Sequence, residues 1–172
     1  MPATYEVIAT QTLSSQSTTI TFSSIPQTYT DLRFVFLGYE QESTGITKRY
    51  RFNGDTGANY SHVHMTATGG SRVSNYEASG TGMRFASNQI GDPSGVNTLA
   101  TIDILSYTGS QLKTTIHQVS SMADAGGNSG YVQKGLGLWN NTAAINSVVF
   151  MFLNSSNYGA GTMVTLYGIK AA

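Results

Sequence analysis

Gly161-Thr162-Met163-Val164-Thr165-Leu166-Tyr167-Gly168-Ile169-Lys170 is the stretch on which the fold is read. Met163, Thr165, Tyr167 and Ile169 alternate with Thr162, Val164, Leu166 and Gly168. Successive side chains of an extended strand point to opposite faces, and here both sets carry apolar residues. Such a strand is expected where both faces of a sheet are covered. Two residues follow Lys170, so the segment is expected to close a sheet inside the fold and not to trail off as a tail.

The same period of two recurs toward the N-terminus. Tyr5 to Leu13 alternates and is rich in Val, Ile and Thr. Thr18 to Ile25 places Ile20 and Phe22 on one face, and Pro26 stops it, because proline cannot donate to a sheet ladder. Leu32, Phe34 and Phe36 face one way while Arg33, Val35 and Leu37 face the other. Lys48 to Asn53 sets Tyr50 and Phe52 against Arg49 and Arg51. Asn53-Gly54 is a strong hairpin signal, since both residues tolerate positive φ. Tyr60–Thr68, Met83–Asn88, Leu99–Tyr107, Leu112–Met122, Tyr131–Trp139 and Ser147–Leu153 follow. Glycine-rich breakers connect these runs, among them Gly69-Gly70-Ser71, Gly91 to Gly95, Gly109-Ser110 and Gly126 to Gly130. Asp31 is placed to bond its own turn. No amphipathic helix of more than two turns is evident. About a dozen short strands at regular spacing imply an all-β sandwich or barrel, and residues 1–172 read as one domain. The least regular part is Gly69 to Gly95, expected to form long loops.

Composition narrows the function classes. Charged residues are 10% of the chain, against roughly a quarter in an ordinary soluble domain. Ser and Thr number 42, so hydroxyls take the surface that charges usually cover. Nine basic and nine acidic residues cancel, which gives no field to steer nucleic acid or an anionic membrane. Zero Cys excludes disulfides and thiolate metal sites. The N-terminus lacks the basic start and apolar run of a signal peptide, and no apolar stretch approaches the ~20 residues of a membrane helix. Synthesis in the cytosol is the expectation.

Four segments carry a family resemblance. Ile20 to Leu32 resembles an opening hairpin, and Arg51-Phe52-Asn53-Gly54-Asp55-Thr56-Gly57-Ala58-Asn59-Tyr60-Ser61 a second one. Gly137 to Ile145 is a third match, and Thr165-Leu166-Tyr167-Gly168-Ile169 a fourth. In this order they are similar to structural proteins of tailed-bacteriophage virions, especially phages of cyanobacterial and marine hosts. The resemblance implies a jelly-roll-like antiparallel sandwich. It implies a capsid decoration (cement) protein, or alternatively a tail or tail-fibre component with a receptor- or glycan-binding role. It implies a homotrimer whose partners are its own copies and the major capsid or tail proteins, located in the virion, and it supplies no catalytic residues. The lack of a fibre shaft favours capsid decoration.

Residues that could carry chemistry have plainer readings beside them. His62 and His64 share one strand face and, with His117 or Asp103, could ligate a metal. A solvated strand face or a hydrogen-bonded pair is preferred, because two histidines lack a full ligand set. Glu40 and Glu42 share a face, and Asp55 lies in a Gly-rich loop. Paired carboxylates could cleave a glycosidic bond, but surface charge at a strand end explains them. Asn53 to Gly57 offers oxygens for calcium, but an ordinary turn suffices. No Gly-x-Ser-x-Gly elbow is present, Gly135-Leu136-Gly137 opens no helix, and Asn140-Asn141-Thr142 is a chance glycosylation match. No enzyme activity, cofactor or metal is assigned.

Basic residues concentrate at Lys48, Arg49, Arg51, Arg72 and Arg84, where a solvated outer strand is preferred to an acid-binding grip. Tyr39, Tyr60, Tyr76, Tyr107, Tyr131 and Tyr158 fall beside turns, suited to interfaces or to sugar stacking. The single Trp139 reads as a core or interface anchor. The residues assigned to partner contacts are Trp139, Tyr5, Arg49 and Arg51.

Overall fold

The computed structural model describes residues 4–38, 47–68, 70–86, 98–121, 130–153 and 156–170. They form twelve strands: β1 (Tyr5–Thr12), β2 (Thr19–Phe22), β3 (Asp31–Gly38), β4 (Lys48–Phe52), β5 (Tyr60–Thr68), β6 (Ser71–Gly80), β7 (Met83–Ala86), β8 (Thr98–Leu105), β9 (Lys113–Ser121), β10 (Tyr131–Trp139), β11 (Val148–Phe152) and β12 (Met163–Ile169). An eight-stranded sheet runs β1-β12-β3-β8-β9-β10-β5-β6 and a four-stranded sheet runs β2-β11-β4-β7. Every pairing is antiparallel. The two sheets pack as a sandwich, and the all-β expectation holds.

The terminal strand explains the arrangement. β12 lies between β1 and β3, with Val164 opposite Phe36 and Leu166 opposite Phe34. Val164, Leu166, Phe34 and Phe36 are fully buried, and so are Ala100 and Ile102, the next residues across in β8. They meet Ile20 and Phe22 of β2 and Val148 and Phe150 of β11 from the smaller sheet. Phe150 is the hub of this aromatic half. Its ring centroid lies 5.2 Å from Phe34 and 5.9 Å from Phe85, both edge to face, a favoured geometry for aromatic pairs. Burying each such side chain contributes roughly 1.5–3 kcal/mol. Trp139 and Phe52, 5.3 Å apart, anchor the other end with Tyr60.

The N-terminal strand pairs within its own chain and forms the sheet edge outside β12. Three local expectations are corrected. Asn53 and Gly54 do adopt positive φ, 51° and 68°, and Asp55 N–H closes the turn onto the Phe52 carbonyl at 2.8 Å. The turn nevertheless joins β4 of the small sheet to β5 of the large one, so it is a crossing between layers and no hairpin. Ser71 to Gly80, expected as loop, is the ten-residue edge strand β6. An edge strand with one exposed face needs few apolar residues, and its pairing with β5 supplies the order. Asp31 bonds across the fold, accepting from Ser106 N–H at 2.7 Å.

Candidate functional site

The two-sided apolarity of β12 sets the question, because the described residues cover only one side. Across the outer face of the large sheet, pairing register aligns side chains into rows. One row runs Val7, Tyr167, Arg33, Asp103, Ile116, Leu136, Val63 and Tyr76 from β1 to β6. Another runs Met163, Leu37, Leu99, Ser120, Val132 and Ala67. Tyr76 is 82% exposed, Met65 67% and Val7 61%. Of thirteen exposed large hydrophobic side chains among the described residues, eleven lie on this one face. Leu112 and Leu153 are the exceptions. A third row between the first two, Thr10, Thr165, Val35, Thr101, Gln118, Lys134, Met65 and Ser74, is mostly polar. Scattered exposed apolar residues are ordinary, and it is their concentration on one face that marks this face as a candidate contact surface.

The face also has relief. Hollows of about 410 Å³ and 320 Å³ flank the Val63–Leu136 pair, one bounded by Tyr76 and Leu138, the other by Met65 and Lys134. A third, of about 220 Å³, lies between Leu99, Gln118 and Val132. Charge on the face is cancelled only in part, since Arg72 opposite Ala67 and Lys134 opposite Met65 also stand on it. Arg33 donates to both Asp103 oxygens, at 2.5 and 2.8 Å, and these bonds raise the guanidinium pKa. At the β1 end Tyr5 stacks on Tyr167 with ring centroids 4.6 Å apart, and Arg33 lies over Tyr5.

Behind this face, the inner side of β5, β9 and β10 carries a second unusual feature. His62, His64 and His117 all point into the sandwich and are at most 5% exposed. His64 and His117 both pair with Gly135 of β10, one on each side. A side chain at Gly135 would strike His117 and come within 2.8 Å of His64 Cβ, so the glycine lets the two imidazoles lean together. His62 and His64 stack with centroids 5.4 Å apart. Among the described residues, neither ring nitrogen of His64 or His117, nor Nε2 of His62, has a hydrogen-bond partner. Arg49 and Glu77 close the cluster: an Arg49 Nη donates to both Glu77 oxygens at 3.0 Å. Glu77 also lies 3.8 Å from Arg84 and 3.9 Å from His62 Nδ1. Burial, with nearby His64, Arg84, His117 and Arg49, pushes His62 down to about 3. Burial, with His64, pushes His117 down to about 4. His64 is lowered too, by burial and Arg84. All three are neutral at pH 7.

The histidines therefore overturn both sequence readings, the solvated face and the hydrogen-bonded pair. Asp103 points away from them, to the outer face. Among the described residues no group of three or more His, Asp or Glu side chains is placed to hold a metal ion. Asp55 has a structural task. Its carboxylate accepts Trp139 Nε1–H at 2.7 Å, Asn59 Nδ2 at 2.9 Å and Gly57 N–H at 2.8 Å, which ties the β4–β5 crossing to β10. Lys48 and Arg49 are buried, so the solvated-strand reading holds only for Arg51, Arg72 and part of Arg84. Arg51 donates to the Thr81 carbonyl at 2.6 Å. Tyr60, Tyr107, Tyr131 and Tyr158 are buried, which leaves Tyr76 exposed. Of the assigned contact residues, Tyr5 lies on the outer face, while Trp139 is a core anchor at 1% exposure. Glu40, Glu42 and Tyr39 lie outside the described residues. Sequence reasoning missed Val63, Met65 and Leu136, while Tyr76 stood among the turn-side tyrosines suited to interfaces. The signal was present in part: Val63, Met65 and Ala67 of β5 and Val132, Leu136 and Leu138 of β10 alternate with the buried set, with Ser61 and Lys134 as the polar exceptions. No protein-family model, curated protein or solved structure matches the chain.

Proposed function

We propose that this chain is a structural assembly protein of a bacteriophage particle, acting as a capsid decoration protein that binds its own copies through the outer face of the large sheet. The apolar outer face carries the reading. Eight strands about 4.8 Å apart span roughly 34 Å, and strands of this length expose on the order of 900 Å². A stable interface needs about 800 Å² from each partner, so the face is large enough to hold neighbouring copies. The occupant is a copy of the same chain, because zero net charge gives two copies no overall repulsion and the Arg33–Asp103 pair on the face is satisfied internally. The trimer, the capsid location and the jelly-roll description, with its larger sheet widened to eight strands, come from the family resemblance and belong to the same proposal. The task is thermodynamic: added buried interface across the shell resists internal pressure.

Quantitative mass spectrometry of purified particles tests this reading. A copy number comparable with the major shell protein is expected. A few copies per particle would move the chain to the tail and favour receptor or glycan binding. Absence from the particle would refute the virion role.

A further inference from the structure

We propose that the interior histidine cluster is an acid sensor: mild acidification favours the unpacked state, in which His62, His64 and His117 take up protons, and so destabilises the half of the sandwich where β4 and β7 face β5, β9 and β10. The inference stands on placement and does not depend on the assembly reading. Three imidazoles are buried side by side without acceptors for added protons, and an unpaired buried charge is among the costliest things a fold can hold. The charged groups around them make protonation worse. β4 contributes Arg49 and β7 contributes Arg84, both cationic. Glu77 of β6 is the one carboxylate at the cluster among the described residues, and Arg49 already occupies both its oxygens. β9 and β10 offer Thr115, already bonded to the Tyr50 hydroxyl, and Gln133, whose amide donates to the Phe85 carbonyl. Among the described residues the aromatic half around Phe34 and Phe150 holds no buried histidine or carboxylate and has no reason to respond in this pH range.

The sign follows from linkage. Each histidine binds a proton more readily unfolded, near its ordinary 6.5, than folded. Stability is therefore full above pH 6.5 and is lost as pH falls toward the folded values. With folded values of about 3 and 4, His62 and His117 each raise the unfolding equilibrium constant about 30-fold between pH 7.5 and 5.0. Together they give roughly a thousandfold, and His64 adds to it in the same direction. Ordinary carboxylates remain mostly ionised over this window, so it isolates the histidines.

Urea unfolding followed by fluorescence of the single, buried Trp139 tests the proposal at pH 7.5 and 5.0. The wild type is expected to change by about a thousandfold or more, and His62→Gln and His117→Gln each to remove about 30-fold of that dependence. A change under tenfold in the wild type, or undiminished pH dependence in both variants, would overturn it. Should a variant fail to fold, the imidazole proton shifts of the wild type decide. All three rings staying neutral at pH 5.5 in the folded protein is the supporting outcome, and any ring titrating near 6.5 overturns the proposal.

Discussion

Replacing Asp55 by alanine removes the single carboxylate that ties the β4–β5 crossing to β10. Three donors lose their acceptor at once: the Trp139 indole, the Asn59 amide and the Gly57 backbone N–H. The indole matters most, because Trp139 is 1% exposed and its N–H would be stranded in the interior. An orphaned buried donor costs about 1–3 kcal/mol. The bonds from Asn59 and Gly57 lie nearer solvent, where water replaces the carboxylate, and add together about 1 kcal/mol. The expected loss is about 2–4 kcal/mol, and for a chain of this size each kcal/mol lowers the melting midpoint by roughly 2–4 °C. Asp55→Asn keeps the shape and one acceptor, so it should lose about half as much. Urea titration at pH 7, with Trp139 emission as the probe, measures both variants. There is a matching pH signature. Burial pushes the Asp55 carboxyl up, but the bonds from Trp139, Asn59 and Gly57 outweigh it and hold it below its ordinary 3.8. Its contribution is thus present above pH 3.8 and is lost as pH falls through the lower folded value. A loss under 1 kcal/mol for Asp55→Ala, with unshifted Trp139 emission, would refute the assignment of Asp55 as the clasp of this loop.

Two other substitutions probe the interior. Gly135→Ala puts a methyl against His117 and His64 and should cost about 1–3 kcal/mol by overpacking, read as a lower urea midpoint with an unchanged slope. Phe150→Ala empties the centre of the aromatic half, where Phe22, Phe34 and Phe85 all meet its ring. A loss of about 3–5 kcal/mol is expected from calorimetry or urea titration, and less than 2 would mean the half is not organised around it.

Strands with an apolar face were legible from the sequence because their period of two is strong. β5 and β10 run over the same residues as their sequence runs, and β12, β3 and β9 agree to within one or two at each end. β6 was illegible for a physical reason: Ser71 to Gly80 has only Val73 and Tyr76 as large apolar residues, and its order comes from β5 beside it. Asn53-Gly54 announced its own backbone conformation but not where the chain went next, since local dihedral preference carries no information about which sheet the following strand joins. The interior histidines could not be read either. Whether the His62–His64 face meets water or a second sheet depends on the pairing order of distant strands, and on Gly135 lying between two of them. The outer face was half legible. Apolar residues on both sides of β12 pointed to cover on both sides, and the described residues supply one cover. Lys48 and Arg49 show the converse limit, since two charged residues in a row read as surface and are buried.

The central claim is that the outer face of the eight-stranded sheet is where copies of this chain meet. Light scattering coupled to size exclusion tests it most directly, at micromolar concentration and neutral pH, on the wild type and on Leu136→Lys. Leu136 stands half-exposed between the two hollows, so lysine there leaves the core untouched and sets a charge at the middle of the contact. The account predicts a wild-type mass that is a multiple of 18.3 kDa, with the proposed trimer as the expected state. It predicts a folded monomer for Leu136→Lys with an unchanged Trp139 signal. A monomeric wild type, or a variant that keeps the full oligomeric mass, would contradict it.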